Sequence, residues 1–178
     1  RQMCIRDSIT SRGYIANGKL LMAESSGSWI LVDLVEGTLV KRLTIPSTDT
    51  DPVLNATWAD GVWHLMSRQQ AMAIDERGHS LWRDAIFRPM KNFVAQFVSH
   101  RFVVLISRII PGDMNSEGRP GIGPFTYRLF FLDRIQGEIV EEFDLGPLEK
   151  PLDPIRSTMT SDHLLLTTTD STLIISGL

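Results

Sequence analysis

The chain has 178 residues, 43% of them hydrophobic and 22% charged, with a formal net charge of −3. That is enough chain to bury one real core, in proportions ordinary for a soluble domain. There is no basic stripe to neutralise phosphates, which argues against nucleic acid, and no apolar run nears the roughly 18 residues of a membrane span.

The first eight residues, RQMCIRDS, carry the only cysteine, Cys4. They match, codon for codon, a transposase-type sequencing adapter: CGT CAG ATG TGT ATA AGA GAC AGx. Residues 1–8 are therefore expected to be adapter-derived, and the natural protein to continue upstream. Without the octet no cysteine remains, so disulfides, thiolate catalysis and cysteine metal sites fall away. No charged segment followed by an apolar stretch marks a signal peptide.

From Tyr14 onward two formulas alternate. The first is an apolar residue, a small one, a turn dipeptide and an apolar run, as in YIANGKLLM (Tyr14 to Met22). Asn17-Gly18 is a strong two-residue turn signal, because both residues tolerate positive φ. The second is two apolar residues, an aspartate, a short gap and a glycine, first in LVDLVEG with Asp33 and Gly37. Its aspartate can accept hydrogen bonds from the turn amides, and its glycine supplies the unusual backbone angles. An alternating segment, TLVKRLTI, follows as a half-exposed strand.

The pair then recurs. TWADGVWHLM (Thr57 to Met66) carries Asp60-Gly61, and AIDERG carries Asp75 and Gly78 before HSLWRDAI. FVSHRFVVLI (Phe97 to Ile106) has the weaker turn Ser99-His100, and FLDRIQG carries Asp133 and Gly137 before EIVEEFDL. MTSDHLLLT (Met159 to Thr167) and STLIISGL close the chain, with Ser176 in the aspartate position. Asp33 to Asp75 spans 42 residues and Asp133 to Ser176 spans 43, while Asp75 to Asp133 spans 58. The excess sits in a proline- and glycine-rich insertion at about 109–126, IIPGDMNSEGRPGIGPFT. A repeat of about 40 residues with several short strands and no helical period predicts all-β β-propeller blades.

In AIDERGHSLW, Trp82 follows the turn glycine by four residues. This resembles the repeat of pyrroloquinoline-quinone-like, or quinoprotein-like, propellers. In that family a tryptophan docks a blade against its neighbour, so the resemblance gives Trp82 a blade-docking role. It makes Asp33, Gly37, Asp75, Gly78, Asp133 and Gly137 structural blade-turn residues. LVDLVEG and FLDRIQG depart from the family pattern, lacking its alanine and threonine and placing Lys41 and Glu141 where the tryptophan would stand. WD-repeat and kelch propellers match less well, since no Trp-Asp strand end or Gly-Gly pair occurs. Family enzymes hold the quinone with calcium, a catalytic aspartate and often a vicinal cysteine pair, none of which can be placed here. Other members are assembly lipoproteins of the outer membrane, which implies a periplasmic or extracytoplasmic setting.

Sites of chemistry are sparse. Asp113, Asn115, Glu117 and Gly118 take positions 1, 3, 5 and 6 of a calcium loop, but position 12 is Pro124, so a bare loop is favoured over a metal site. Gly121 and Gly123 are flanked by prolines and open no helix, a poor phosphate cradle. His64, His79, His100 and His163 fall in different repeats. His64 reads as a satisfied, half-buried strand residue, and His100 and His163 as solvated. Asp33, Asp75 and Asp133 read as turn formers, not a carboxylate cluster. Trp29, Trp58, Trp63 and Trp82 read as packing residues, with sugar stacking the alternative. Asn55-Ala56-Thr57 is a sequon that matters only in a eukaryotic secretory context. No Gly-x-Ser-x-Gly elbow occurs.

Residues 9–178 are thus expected to form about three and a half four-stranded antiparallel blades of an incomplete ring, since closure takes roughly four to eight. Open sheet edges predict poor solubility, and a monodisperse, cooperatively unfolding monomer of 9–178 would contradict the fragment reading. The function expected is a non-catalytic scaffold for a protein partner and for the missing upstream blades, with no catalytic residue and no cofactor of its own. One alternative is the C-terminal part of a quinone-dependent dehydrogenase, with quinone and calcium in the full-length parent. A carbohydrate-active propeller is the other.

Overall fold

The computed structural model describes residues 9–24, 28–43, 53–67, 70–83, 93–109, 125–160 and 163–176. The octet with Cys4, the Ser161-Asp162 turn and residues 110–124 lie outside these. The calcium-loop residues Asp113, Asn115, Glu117, Gly118 and Pro124, and Gly121 and Gly123, therefore lie outside them too.

The described residues form four antiparallel meanders, and none of them is helical. The first sheet runs β1 (Ile9–Ala16), β2 (Lys19–Glu24), β3 (Trp29–Asp33) and β4 (Thr38–Leu43). The second runs β5 (Asn55–Ala59), β6 (Val62–Met66), β7 (Ala71–Asp75) and β8 (Ser80–Arg83). The third runs β9 (Phe93–Val98), β10 (Phe102–Ile109), β11 (Phe125–Asp133) and β12 (Ile139–Leu148). The fourth has three strands: β13 (Thr158–Met159), β14 (His163–Thr167) and β15 (Thr172–Ser176).

Turn chemistry sets each register. Asn17 and Gly18 have φ of 47° and 69°, and Asp60 and Gly61 have 46° and 83°. Two successive positive φ values match the twist of a two-residue hairpin, and the strands pair from Ala16↔Lys19 and Ala59↔Val62. At β9–β10 the loop is longer, and a hydroxyl takes over: Ser99 Oγ accepts from the amides of Phe102 at 2.9 Å and Arg101 at 3.2 Å. Thr160 Oγ1 does the same for the His163 amide before β14.

The central strands of the second and third sheets carry almost continuous apolar runs because each of these sheets is covered on both faces by a neighbour. Leu21, Trp29, Leu31, Trp63 and Leu65 join the first sheet to the second. Ala73, Trp82, Phe93, Leu105 and Leu132 join the second to the third, and Phe102, Leu129, Leu145, Leu164 and Leu166 join the third to the fourth. Met22, Ile30 and Val32 form a separate cluster on the first sheet. Strand β9 lies against both β5 and β13, so the first strand of each meander is innermost and the last is outermost. The sheets do not close on one another: no cluster of described residues joins the fourth sheet to the first.

The blade count is close to the sequence estimate, at three sheets of four strands and one of three. The insertion expected at about 109–126 falls between β10 and β11. Ile109 pairs with Thr126, so residues 109, 125 and 126 belong to strands that extend the β10–β11 hairpin.

Candidate functional site

In a four-stranded meander the first and third connections fall at the same end. Here they are bonded together: the Leu34 amide donates to Gly18 O at 2.7 Å, and the Arg134 amide to Arg101 O at 3.1 Å. This turn end carries the repeated aspartates and the exposed tips between them.

Each aspartate serves its own turn. Asp33 Oδ1 accepts from the amides of Val35 and Glu36 at 2.9 and 3.0 Å, and Asp133 Oδ1 from Ile135 and Gln136, both at 2.8 Å. Asp75 Oδ1 accepts from Arg77 at 2.9 Å and His79 at 2.7 Å. The Glu36 amide, and next Lys19 at 3.1 Å from Oδ2, hold the Asp33 carboxyl below the usual carboxylate range. Burial pulls Asp75 upward, but the His79 amide and ring and the Arg77 amide outweigh it, and its carboxyl too lies low. A fourth such turn, at Asp153, has Oδ1 accepting from Ile155 at 3.0 Å and Arg156 at 3.4 Å. Its sequence, Leu152-Asp153-Pro154, lacks both the apolar pair and the glycine that mark the others.

The turn glycines have φ of 64° at Gly37, 77° at Gly78 and 72° at Gly137. Two of them face the outermost strand of the preceding sheet. A Cβ on Gly137 would sit 2.5–2.7 Å from carbons of the Trp82 indole, and one on Gly78 would sit 2.6 Å from Leu43 and 3.1 Å from Lys41. The Lys41 stem in β4 thus meets the next turn glycine where Trp82 does in β8. Trp82 is 7% exposed, and its Nε1 donates to Arg134 O in the third sheet at 2.8 Å.

Arg134 ties the same seam from above. Its guanidinium reaches Asp60 Oδ2 at 2.6 Å and Ser99 O at 3.4 Å. Sequence reading missed this pair, whose partners are 74 residues apart. Below it lies His64, for which the expectation needs correction. The side chain is 0% exposed, and neither ring nitrogen finds a hydrogen-bond partner among the described residues. Burial, and secondarily the Arg134 charge, lower its pKa to about 4. His100 and His163 are exposed, and His79 Nδ1 sits 3.0 Å from Asp75 Oδ2.

The tryptophans are packing residues. Trp29 and Trp63 are buried between the first two sheets, Trp58 is half-buried against Trp63 at 5.2 Å between ring centroids, and Trp82 fills the next seam. Trp58 alone of the four keeps part of its surface in solvent. Among the described residues no group of three or more histidines, cysteines, aspartates or glutamates is placed to hold a metal. Exposed at the turn end are the apolar side chains Val35 at 86%, Ile135 at 76% and Ile15 at 71%, with Leu34, among exposed polar and charged residues that include Glu36, Glu76, Arg77 and Gln136.

No family model matches the chain, and no curated protein matches it. Solved structures do. The computationally designed Ika4 protein is 10% identical, with a TM-score of 0.61 over 96% of this chain and 92% of its own. BamB from Moraxella catarrhalis is 15% identical, with a TM-score of 0.52 over 90% of this chain and 43% of its own. Quinohemoprotein alcohol dehydrogenase from Comamonas testosteroni is 14% identical, with a TM-score of 0.52 over 78% of this chain and 22% of its own. At such identities the likeness shows the fold alone: the chain is an arc of β-propeller blades. It spans less than half of the two natural proteins.

Proposed function

We propose that this chain is a quinoprotein-like propeller segment that acts as a non-catalytic scaffold and binds a protein partner through its turn end. The observation that carries this reading is the division of labour in the turns. The repeated aspartates and glycines are committed to holding the blades, while residues between them stand out into solvent: apolar Leu34, Val35 and Ile135 in the first and third sheets, and charged Glu76 and Arg77 in the second. Exposed apolar side chains on turn tips, flanked by charged ones, suit a protein partner. BamB, named among the similar structures, is consistent with a scaffold of this kind. An extracytoplasmic setting and further upstream blades follow from the same family resemblance. In this reading Trp82 docks the second blade on the third, and the chain holds no cofactor.

Photo-crosslinking tests it. A benzophenone amino acid placed at Val35 or Ile135 is expected to capture a discrete protein adduct in cells, and one at Glu149, exposed at the opposite end, is not. Equal capture at all three positions, or capture only at Glu149, contradicts the turn-end surface. The second reading, a dehydrogenase parent, is favoured by the likeness to the Comamonas enzyme. It places pyrroloquinoline quinone and calcium in blades outside this chain.

A further inference from the structure

Among the buried residues described, His64 is the single histidine, and no aspartate, glutamate, lysine or arginine accompanies it. It sits in the seam between the second and third sheets, on a row that runs Thr57, His64, Ala73, Trp82 across the second. Facing it from β9 is Gln96, whose Nε2 donates to His64 O at 3.0 Å and lies 3.5 Å from Thr57 Oγ1. Gln96 Oε1, like both imidazole nitrogens, has no hydrogen-bond partner among the described residues. The Trp82 ring lies 6.1 Å away and tilted by 42°.

Among the described residues, the charges around the ring come from the turn end alone. Arg134 is the one charged group that acts on it, and the carboxylate of Asp60 is already bonded to Arg134. The other packed elements bring Ala73 from β7, Trp82 from β8 and apolar Val103 and Leu105 from β10. Among the described residues, a proton on His64 therefore meets a repelling guanidinium, an indole and no free carboxylate. A buried charge without a partner is strongly disfavoured, and the relief available is water.

We propose that this seam is an acid-triggered joint: protonation of His64 parts the second sheet from the third, releasing Trp82 from Arg134, while the first and second sheets stay packed. The sign follows from linkage. Closed, the ring titrates at about 4, and opened to water at its ordinary 6.5. The open form thus binds the proton more tightly. Opening is rare at neutral pH, rises as pH falls through 6.5, and levels off below about 4. The opening constant grows by about 300-fold across that window.

The indole N–H groups of Trp82 and Trp63 report the two seams separately, by hydrogen exchange corrected for intrinsic rate and followed by NMR on the whole chain. Trp82 is expected to lose protection by about two orders of magnitude between pH 7 and pH 4, with Trp63 unchanged. His64→Leu, which cannot be protonated, is expected to hold Trp82 protection constant. Parallel loss at Trp82 and Trp63, or equal loss in His64→Leu, overturns the proposal. Should the leucine variant fail to fold, the imidazole titration of the unaltered protein decides. A pKa near 6.5 with Trp82 still protected overturns the joint, and coincident midpoints for the ring and for Trp82 exposure support it.

Discussion

Trp82→Ala is expected to destabilise the chain by about 4 kcal/mol, seen as a lower urea midpoint at unchanged slope. The indole is 7% exposed and packs with Phe93, Phe130 and Leu132 of the third sheet, so truncation leaves a cavity that two stacked sheets cannot readily collapse. It also strands the Arg134 carbonyl, which accepts from Nε1 at 2.8 Å. Trp82→Phe separates the two effects. It keeps most of the apolar volume and loses the hydrogen bond, and should cost about 1–2 kcal/mol. A loss below about 1 kcal/mol for the alanine variant would mean that the seam does not depend on this side chain.

Gly137→Ala carries the second large effect. The backbone at φ 72° already disfavours any side chain, and the new Cβ would press into the indole at 2.5–2.7 Å. Gly37 provides the control. Its φ is 64°, yet a Cβ there meets nothing within 4 Å. Gly37→Ala should therefore cost only the backbone strain, about 1 kcal/mol, and Gly137→Ala about 3 kcal/mol. The difference isolates the steric part. Combined with Trp82→Ala, the alanine at 137 should cost about as little as it does at 37, because its obstacle is gone. Equal costs at the two glycines, or strict additivity with Trp82→Ala, would show that the turn does not rest on the ring.

Local chemistry was legible in the sequence, and of the contacts across sheets only the one at Trp82 was, through the resemblance of its repeat. Asn17-Gly18 and Asp60-Gly61 announced their hairpins because the required φ values are confined to few residue types. The aspartate-to-glycine turns were legible for the same reason. The turn at Asp153 escaped notice because it precedes β13 and ends without a glycine. His64 misled because VWHLM is buried on both faces of β6, so no alternation distinguishes a half-exposed position from a fully buried one. The Arg134–Asp60 pair left no trace, since nothing in either segment refers to a residue 74 positions away. The insertion gave its place and composition, but the β10–β11 hairpin pushes further into it than proline and glycine content suggest. The site suffered most: the apolar tips Val35 and Ile135 sit between turn formers and read as ordinary loop residues until the turns fix them outward.

The second and third blades stack through Trp82, and one NMR measurement addresses that directly: the chemical shift of the Gly137 Hα protons, with their cross-relaxation to the indole. Gly137 against the face of Trp82 predicts strongly ring-shifted Hα resonances and clear cross-peaks to the indole protons, both abolished in Trp82→Ala. Hα resonances at ordinary coil positions, without indole cross-peaks at neutral pH, would mean that the second and third sheets do not meet there. The blade-docking role, the glycine predictions and the acid-triggered joint would then fall together.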